Sequence, residues 1–490
     1  MRGTTRTVSD HIDLHDNEEN CRYCRGMIRR YSCLLAVTVV GLVLRLISID
    51  DWSLWGDEAL TLLIVQWPLP TLFFAPADPT AGFYYAIHKV LLGPEVGVVA
   101  ARSISVAAGT LLIPASFFLA KAARVPALLT ATLIALSFPL IDYSQEARAY
   151  SLLILLTTQS VAFFLWWSRS DRLWHLAASL ALAVLAFYTH FIAIFWVGPL
   201  ALAALWTGKR RAVAPLLTVF ILAMPEVSRL AQYHQPDFSW LLQASPKDAA
   251  NTLARAVLPF RLAGSAALMI ALVLGWRIWL HRTLLAKWAT ANWPAAVTLL
   301  IFFTIPLAIW LFGMILKPIF MPRTILIALP GILLALALLL SFEQRLIKIV
   351  AVGICAASLL VTGTMRPRED WRTMAARVGD DMVLMCQGWQ GAAMRHALGP
   401  NSRVLLLDGD GLLLIEEKPW EVAYFNVLTT QGAMHRARER GQEVAKSQYP
   451  VWPIRTGSLG TMTGRPTTLG EAIQVCHANR ADLAPRYQTD

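Results

Sequence analysis

Charge is what this sequence has least of. Only 15% of its 490 residues are Asp, Glu, Lys or Arg, against about 25% in an average soluble protein. Too few charges for a solvated surface, with 56% hydrophobic residues and a mean hydropathy of +0.52, exclude intrinsic disorder and a collagen-like chain. Cysteine is scarce too: six in 490 residues exclude a small disulfide-dense scaffold. There is no internal repeat and no phosphate-binding glycine fingerprint, and no small-residue cleavage site follows the first apolar run, so a cleaved signal peptide is not expected. Acidic residues are outnumbered, 32 against 43 Lys and Arg, for a net charge of +11 and a pI near 9.5. A nucleic-acid binder would gather those cations on one polar face, and the sequence does not, so no nucleic-acid partner is expected.

What is present is long apolar runs. A bilayer core needs roughly 20 apolar residues per helix. Runs at 31–50, 97–119, 125–141, 150–167, 173–188, 191–206, 212–230, 262–280, 293–316, 324–341 and 347–363 predict about eleven crossings. Every second connection is basic: Lys121 and Arg124, Arg169 and Arg172, Lys209 to Arg211, Arg282 and Lys287, Arg345 and Lys348. Basic loops stay cytoplasmic. The tail with Arg22, Arg25, Arg29 and Arg30 is therefore placed inside, and the loops with Asp57, Glu58, Asp142, Glu146 and Asp237 outside. Residues 1–30 read as a cytoplasmic tail, 31–365 as a transmembrane domain with membrane lipids around it, and 366–490 as an extracytoplasmic α/β domain. In that last domain, 381–386 and 403–408 read as strands, QGAAMRHAL and 431–447 as helical, and PVWPIRTGSLG as turns. Cys386 and Cys476 both fall on the oxidising side, which makes them a candidate disulfide; Cys21 and Cys24 form a lone CxxC, weak evidence for metal.

Chemistry is expected on the external loops. SLWGDEA sets Asp57 and Glu58 just outside the first span. A carboxylate there can deprotonate a hydroxyl or bind a cation, or the pair can be an interfacial helix cap. IDYSQEARAYSLL places Glu146 and Arg148 in a tight turn, with Tyr143 and Tyr150 as interface anchors. Arg148 suits a phosphate, but Glu–Arg also suits a structural ion pair. LKPIFMPR sets Lys317 and Arg323 between proline-broken helix ends, suited to a lipid phosphate or to snorkelling.

The order SLWGDEA, DP…FYY, YSQEARAYSLL, YTHF, PRTILIALPG, REDWR resembles the dolichyl-phosphate-mannose protein mannosyltransferase-like family, above all its bacterial members. These belong to the C-type superfamily of integral-membrane glycosyltransferases, which includes the aminoarabinose transferases. The resemblance spans residues 44 to about 380. It implies a mainly α, polytopic helical bundle that moves a sugar from a polyprenyl-phosphate donor to an acceptor hydroxyl, with inversion, on the external face of a bacterial inner membrane. The acceptor is a lipid, glycan or protein. Carried over, Asp57 is the general base, Glu58 assists with acceptor or cation, and Arg148 and Arg323 take the donor phosphate, with Lys317 of the same loop as a further candidate. Asp78, Tyr84, Tyr85, Gln145, Glu146 and His190 are candidate substrate residues. A divalent cation is left open, with Glu58 and His190 as its candidate ligands. A lone His at a helix end is also commonly a packed, hydrogen-bonded residue. Relatives commonly carry His-Pro-Pro after the Asp-Pro of the first loop; here Asp78 and Pro79 are followed by Thr80, Ala81 and Gly82, which bears on any contact made there. The rival readings are a multi-pass transporter and a non-catalytic lipid-binding envelope protein.

Overall fold

The computed structural model of the chain describes residues 9–74, 80–206, 208, 213–231, 244–257, 264–315, 319–362, 370–386, 391–399, 402–408, 411–415, 439, 441–444, 446, 450–455, 461–462 and 466–486. In chain order the helices are α1 (Ser9–Leu46), α2 (Gly56–Val65), α3 (Leu69–Phe74), α4 (Gly82–Leu91), α5 (Val98–Ala123), α6 (Ala127–Ala135), α7 (Phe138–Asp142), α8 (Tyr150–Ser170), α9 (Leu173–Phe187) and α10 (Ile194–Trp206). There follow α11 (Val213–Leu222), α12 (Met224–Ala231), α13 (Pro246–Val257), α14 (Gly264–Leu280), α15 (Arg282–Ala291), α16 (Trp293–Ile315), α17 (Pro322–Ile325), α18 (Leu329–Ser341) and α19 (Arg345–Thr362).

Helices occupy the apolar runs, but not as about eleven full crossings. Among the described residues five stretches are long and apolar enough to span: Met27–Leu46, Val98–Ala123, Tyr150–Ser170, Trp293–Ile315 and Pro322–Ser341. A sixth exists if α6 and the Phe138–Gln145 stretch, bent by 60°, form one broken span. The physical reason is local. Ser137 is extended and Pro139 opens the next helix, so the 125–141 run cannot continue straight. The 173–188 run ends at His190, whose extended backbone pairs with Thr80. The 15 residues of α9 cover only about 22 Å at 1.5 Å each, and Val213–Leu222 is shorter still.

The bundle core lies between α5, α6, α8, α9, α10, α16 and α18, where Phe164, Phe187, Trp196 and Phe302 are fully enclosed. At the end of the bundle away from α2, Trp288 donates its indole N–H to the Arg124 carbonyl (3.3 Å) and Arg169 donates to Asn292 Oδ1 (3.3 Å). The basic connections after α5 and α8 thus meet at one end, as their alternation requires.

Beyond the bundle stand α20 (Trp371–Val378), β1 (Met382–Met385), α21 (Gly391–Leu398), β2 (Arg403–Asp408), β3 (Gly411–Ile415), β4 (Val451–Arg455), β5 (Thr461–Met462) and α22 (Leu469–Arg486). The sheet order is β3-β2-β1-β4-β5, parallel across β2, β1 and β4 and antiparallel at both edges. β1 alternates as a strand must: Val383 and Met385 face α20, α21 and α2, while Met382, Leu384 and Cys386 face α22. Cys386 and Cys476 are disulfide-bonded, fixing α22 to the sheet. The segment read as turns contains β4, and β3 is a further strand. The expected 431–447 helix lies largely outside the described residues; 441–444 is helical.

The sheet unit is seated on the segment between α1 and α2. Trp371 is fully buried, its N–H donates to Ser53 Oγ (2.9 Å), and Arg372 pairs with Asp50. Ala59 and Leu63 of α2 pack against Met394, Ala397 and Leu398 of α21.

Candidate active site

Glu58 is the best-held residue of the first loop. Arg102, in the first turns of α5, donates Nε to Oε1 (2.8 Å) and Nη2 to Oε2 (2.7 Å), and both side chains are fully buried. The Ala147 N–H also donates to Oε1 (2.8 Å), and the Trp55 N–H to Oε2 (3.3 Å). A carboxylate offers about four lone-pair sites, so these donors fill Glu58. The remaining Arg102 donors reach the carbonyls of Ile49 (2.6 Å), Trp52 (3.2 Å) and Ser53 (3.1 Å). One buried pair therefore fixes the end of α1, the start of α2 and the Glu146–Arg148 turn at once. A bidentate guanidinium–carboxylate pair is suited to such a geometric task. Arg102 was not among the sequence candidates. The signal was an arginine inside an otherwise apolar run, VVAARSISV.

Asp57, one residue earlier on α2, points elsewhere. Arg323 Nη1 donates to its Oδ2 at 2.8 Å, and the side chains keep 26% and 22% exposure. Asp57 Oδ1 and Arg323 Nε and Nη2 have no hydrogen bond among the described residues. Arg148 Nη1 donates to the Asp57 carbonyl (3.2 Å) and lies 3.5 Å from the Tyr85 hydroxyl. Arg148, Tyr143 and Tyr150 are within electrostatic reach of Arg323. Asp57, Arg148 and Arg323, far apart in sequence, thus meet at the start of α2, Arg323 on the Asp57 carboxylate and the buried Arg148 on its backbone carbonyl.

The turn that carries Arg148 is stitched on every side. Thr61 donates to the Ala147 carbonyl (2.9 Å), and Ser105 to the Arg148 carbonyl (2.9 Å). Since Ser105 spends its proton there, the Tyr84 hydroxyl is the donor in its 3.2 Å bond to Ser105. Tyr84 is fully buried, and burial pushes its phenol above the ordinary range, which keeps that proton in place. Gln145 donates to the carbonyls of Arg45 (3.2 Å) and Ile47 (2.6 Å). Glu146 is buried beneath the turn.

His190 is buried and caps the following turn, its Nδ1 accepting from the Ile192 N–H (3.3 Å). Its backbone bridges Thr80, whose carbonyl accepts from Arg229 (3.4 Å). Its ring lies 5.4 Å from Tyr150, which in turn lies 5.7 Å from Tyr143. Tyr150, expected as an interface anchor, is buried in this stack instead, because α8 begins inside the protein wall. Asp78 and Lys317 lie outside the described residues. Among the described residues no group of three or more His, Cys, Asp and Glu side chains could hold a metal.

No protein-family model and no curated protein matches the chain. Among solved structures, apo ArnT from Cupriavidus metallidurans aligns over 87% of this chain and 93% of its own, at 15% identity and a TM-score of 0.53. The bundle has the C-type glycosyltransferase fold. ArnT bound to undecaprenyl phosphate aligns over 70% of each chain, at 19% identity and a TM-score of 0.44. The apo oligosaccharyltransferase of Archaeoglobus fulgidus aligns over 76% of this chain and 64% of its own, at 11% identity and a TM-score of 0.46. The likeness to apo ArnT is one of fold; residue roles rest on the geometry above.

Proposed function

We propose that the chain is an integral-membrane glycosyltransferase that moves a sugar from a polyprenyl-phosphate donor to an acceptor hydroxyl, as a bacterial member of the dolichyl-phosphate-mannose protein mannosyltransferase-like family. The observation that carries this reading is the meeting of Asp57, Arg148 and Arg323 at one end of the bundle, with Asp57 Oδ1 left open.

In the reaction, Asp57 Oδ1 takes the proton of the acceptor hydroxyl. The acceptor oxygen bonds to the anomeric carbon from the face opposite the phosphate, and the bond from that carbon to the phosphate oxygen breaks. The configuration inverts, and the polyprenyl phosphate leaves with an added negative charge. Arg323, through Nε and Nη2, and Arg148 stabilise that charge where it develops; Lys317 is a third candidate for the same phosphate. Arg323 thereby holds both reactants' anchors, one N–H on the base and the others toward the leaving group. Glu58, whose four acceptor sites are filled, positions the base and needs no substrate contact of its own. Tyr85, 3.5 Å from Arg148 Nη1, and His190, whose ring lies 5.4 Å from Tyr150, are the further candidates for substrate contact.

The N-terminal tail is cytoplasmic and the cleft and sheet unit face outward across the bacterial inner membrane, a reading supported by the basic ends of α5 and α8 opposite the cleft. Residues 31–365 form the transferase domain and 366–490 a separate extracytoplasmic domain that stands beside the acceptor side of α2. The test uses full-length protein in vesicles with a radiolabelled polyprenyl-phosphate sugar. Label should appear on an acceptor or as freed sugar. Uptake of the sugar into the vesicle lumen without cleavage would instead make the chain a transporter.

A further inference from the structure

Arg45 is the least explained charge in the molecule. It sits in the last turn of the Met27–Leu46 span and is fully buried. Its Nη1 donates to the Gly41 carbonyl (2.8 Å) and reaches the Ala135 carbonyl (3.5 Å), while Nε and Nη2 have no hydrogen-bond partner among the described residues. A cation enclosed in a membrane bundle is costly and marks function more often than stability. Two glycines make room for it. A Cβ at Gly41 would stand 3.2 Å from Arg45 Nη1, and one at Gly109 only 3.1 Å from Arg45 Nε and 2.0 Å from Ser144 Oγ.

What surrounds Arg45 is the broken span. Ala135 is the last residue of α6, where the chain bends by 60° and the final carbonyls lose their helical partners. A helix C-terminus carries about half a negative charge, so a guanidinium reaching Ala135 sits where a cation is favoured. The bent segment then runs through α7 into the turn Tyr143–Gln145. Ser144 packs at Gly109, beside Arg45 Nε, and Gln145 donates back to the carbonyls of Arg45 and Ile47. Three residues further on stands Arg148.

We propose that Arg45 is a positioning residue for sugar transfer: its buried guanidinium caps the carbonyl end of α6 where the chain bends, and so fixes the Tyr143–Gln145 turn that leads to Arg148 beside Asp57. The inference rests on the reading of the cleft as a transferase site. Arg45 touches neither Asp57 nor the space beside it, and acts only through the turn.

The two orphaned nitrogen atoms separate this role from a stabilising one. Replacing a buried, incompletely paired charge by an apolar side chain is commonly neutral or stabilising, whereas a misplacement of about 1 Å at a reacting centre costs roughly 10²-fold in rate. Full-length Arg45→Met should therefore unfold no earlier than the wild type. Its kcat for transfer from a polyprenyl-phosphate sugar should fall roughly 10–100-fold, with donor KM within about threefold. Hydrogen exchange of the amides in 143–149 should rise. Arg45→Lys, which keeps a donor for the Ala135 carbonyl, should restore part of both. Gly109→Ala, which pushes Ser144 without removing the charge, should reproduce the loss, and it serves in place of Arg45→Met if that variant does not fold. Unchanged kcat, or unchanged exchange in 143–149, in the variant that folds would overturn the proposal. If the wild type transfers no sugar at all, the transferase reading fails, and the exchange measurement alone decides the role of Arg45.

Discussion

Removing Arg102 should be among the most damaging single changes available in this chain. Arg102→Met deletes two charge-assisted bonds to Glu58 and the bonds to the Ile49, Trp52 and Ser53 carbonyls. Glu58 then keeps only the N–H groups of Ala147 and Trp55, in a fully buried position. Stranding one partner of a buried pair costs about 3–5 kcal/mol, a factor of roughly 10²–10⁴ in the folding equilibrium. The assay is reversible unfolding in mixed micelles with linear extrapolation, for Arg102→Met, Glu58→Gln and the double variant. Because the penalty comes from the stranded charge, the double variant should recover most of the stability lost in Arg102→Met. Transfer should not recover, because the Arg102 bonds that tie the end of α1 to the start of α2 stay lost. A loss below about 1 kcal/mol for Arg102→Met would refute the reasoning, since that is the size of an exposed pair. Wild-type transfer by the double variant would refute the positioning role given to Glu58.

Arg323→Lys keeps the charge but loses the planar fork that serves Asp57 and a phosphate together; steady-state kinetics should show transfer at least about tenfold lower. The disulfide from Cys386 to Cys476 closes a separation of 90 residues. By the chain-entropy relation Cys476→Ser should cost the sheet unit about 4.6 kcal/mol, read as earlier loss of its α22 protection in hydrogen exchange. His88 is fully buried, and burial lowers its pKa from the ordinary 6.5. The folded state therefore holds it neutral. Its contribution is complete above the unfolded pKa and declines as pH falls through 6.5 toward the lower folded value. His88→Phe should flatten the loss of thermal stability between about pH 7 and pH 5.

The sequence made the places of the helices legible, and the reason is hydropathy: runs such as Val98–Ala123 and Trp293–Ile315 have no other low-energy form in a membrane. Their lengths were less legible. Ser137 and Pro139 break one run and His190 ends another; the first break leads into the Tyr143–Gln145 turn and the second into the bridge with Thr80. The charged residues show the same division. Asp57, Arg148 and Arg323 each stand in a short motif between apolar runs, and the fold brings the three together. Glu58 and Asp57 could not be told apart from adjacency; one faces Arg102 and the other Arg323 because successive helix positions differ by about 100°. Arg102 and Arg45 were hidden because a buried cation inside an apolar run has no pattern of its own, only partners distant in sequence. In the sheet unit, β1 and β2 were readable from dense apolar runs, while β4 was masked by its own Pro453.

In the proposed sugar transfer Asp57 is the base and Arg148 with Arg323 the phosphate clamp. The most direct measurement is transfer of label from a radiolabelled polyprenyl-phosphate sugar by wild type and Asp57→Asn, both full-length and in vesicles. Removal of a general base typically costs about 10²–10⁴-fold in rate, so wild type should transfer and Asp57→Asn should fall by that factor while still binding the donor. Near-wild-type transfer by Asp57→Asn would contradict the account.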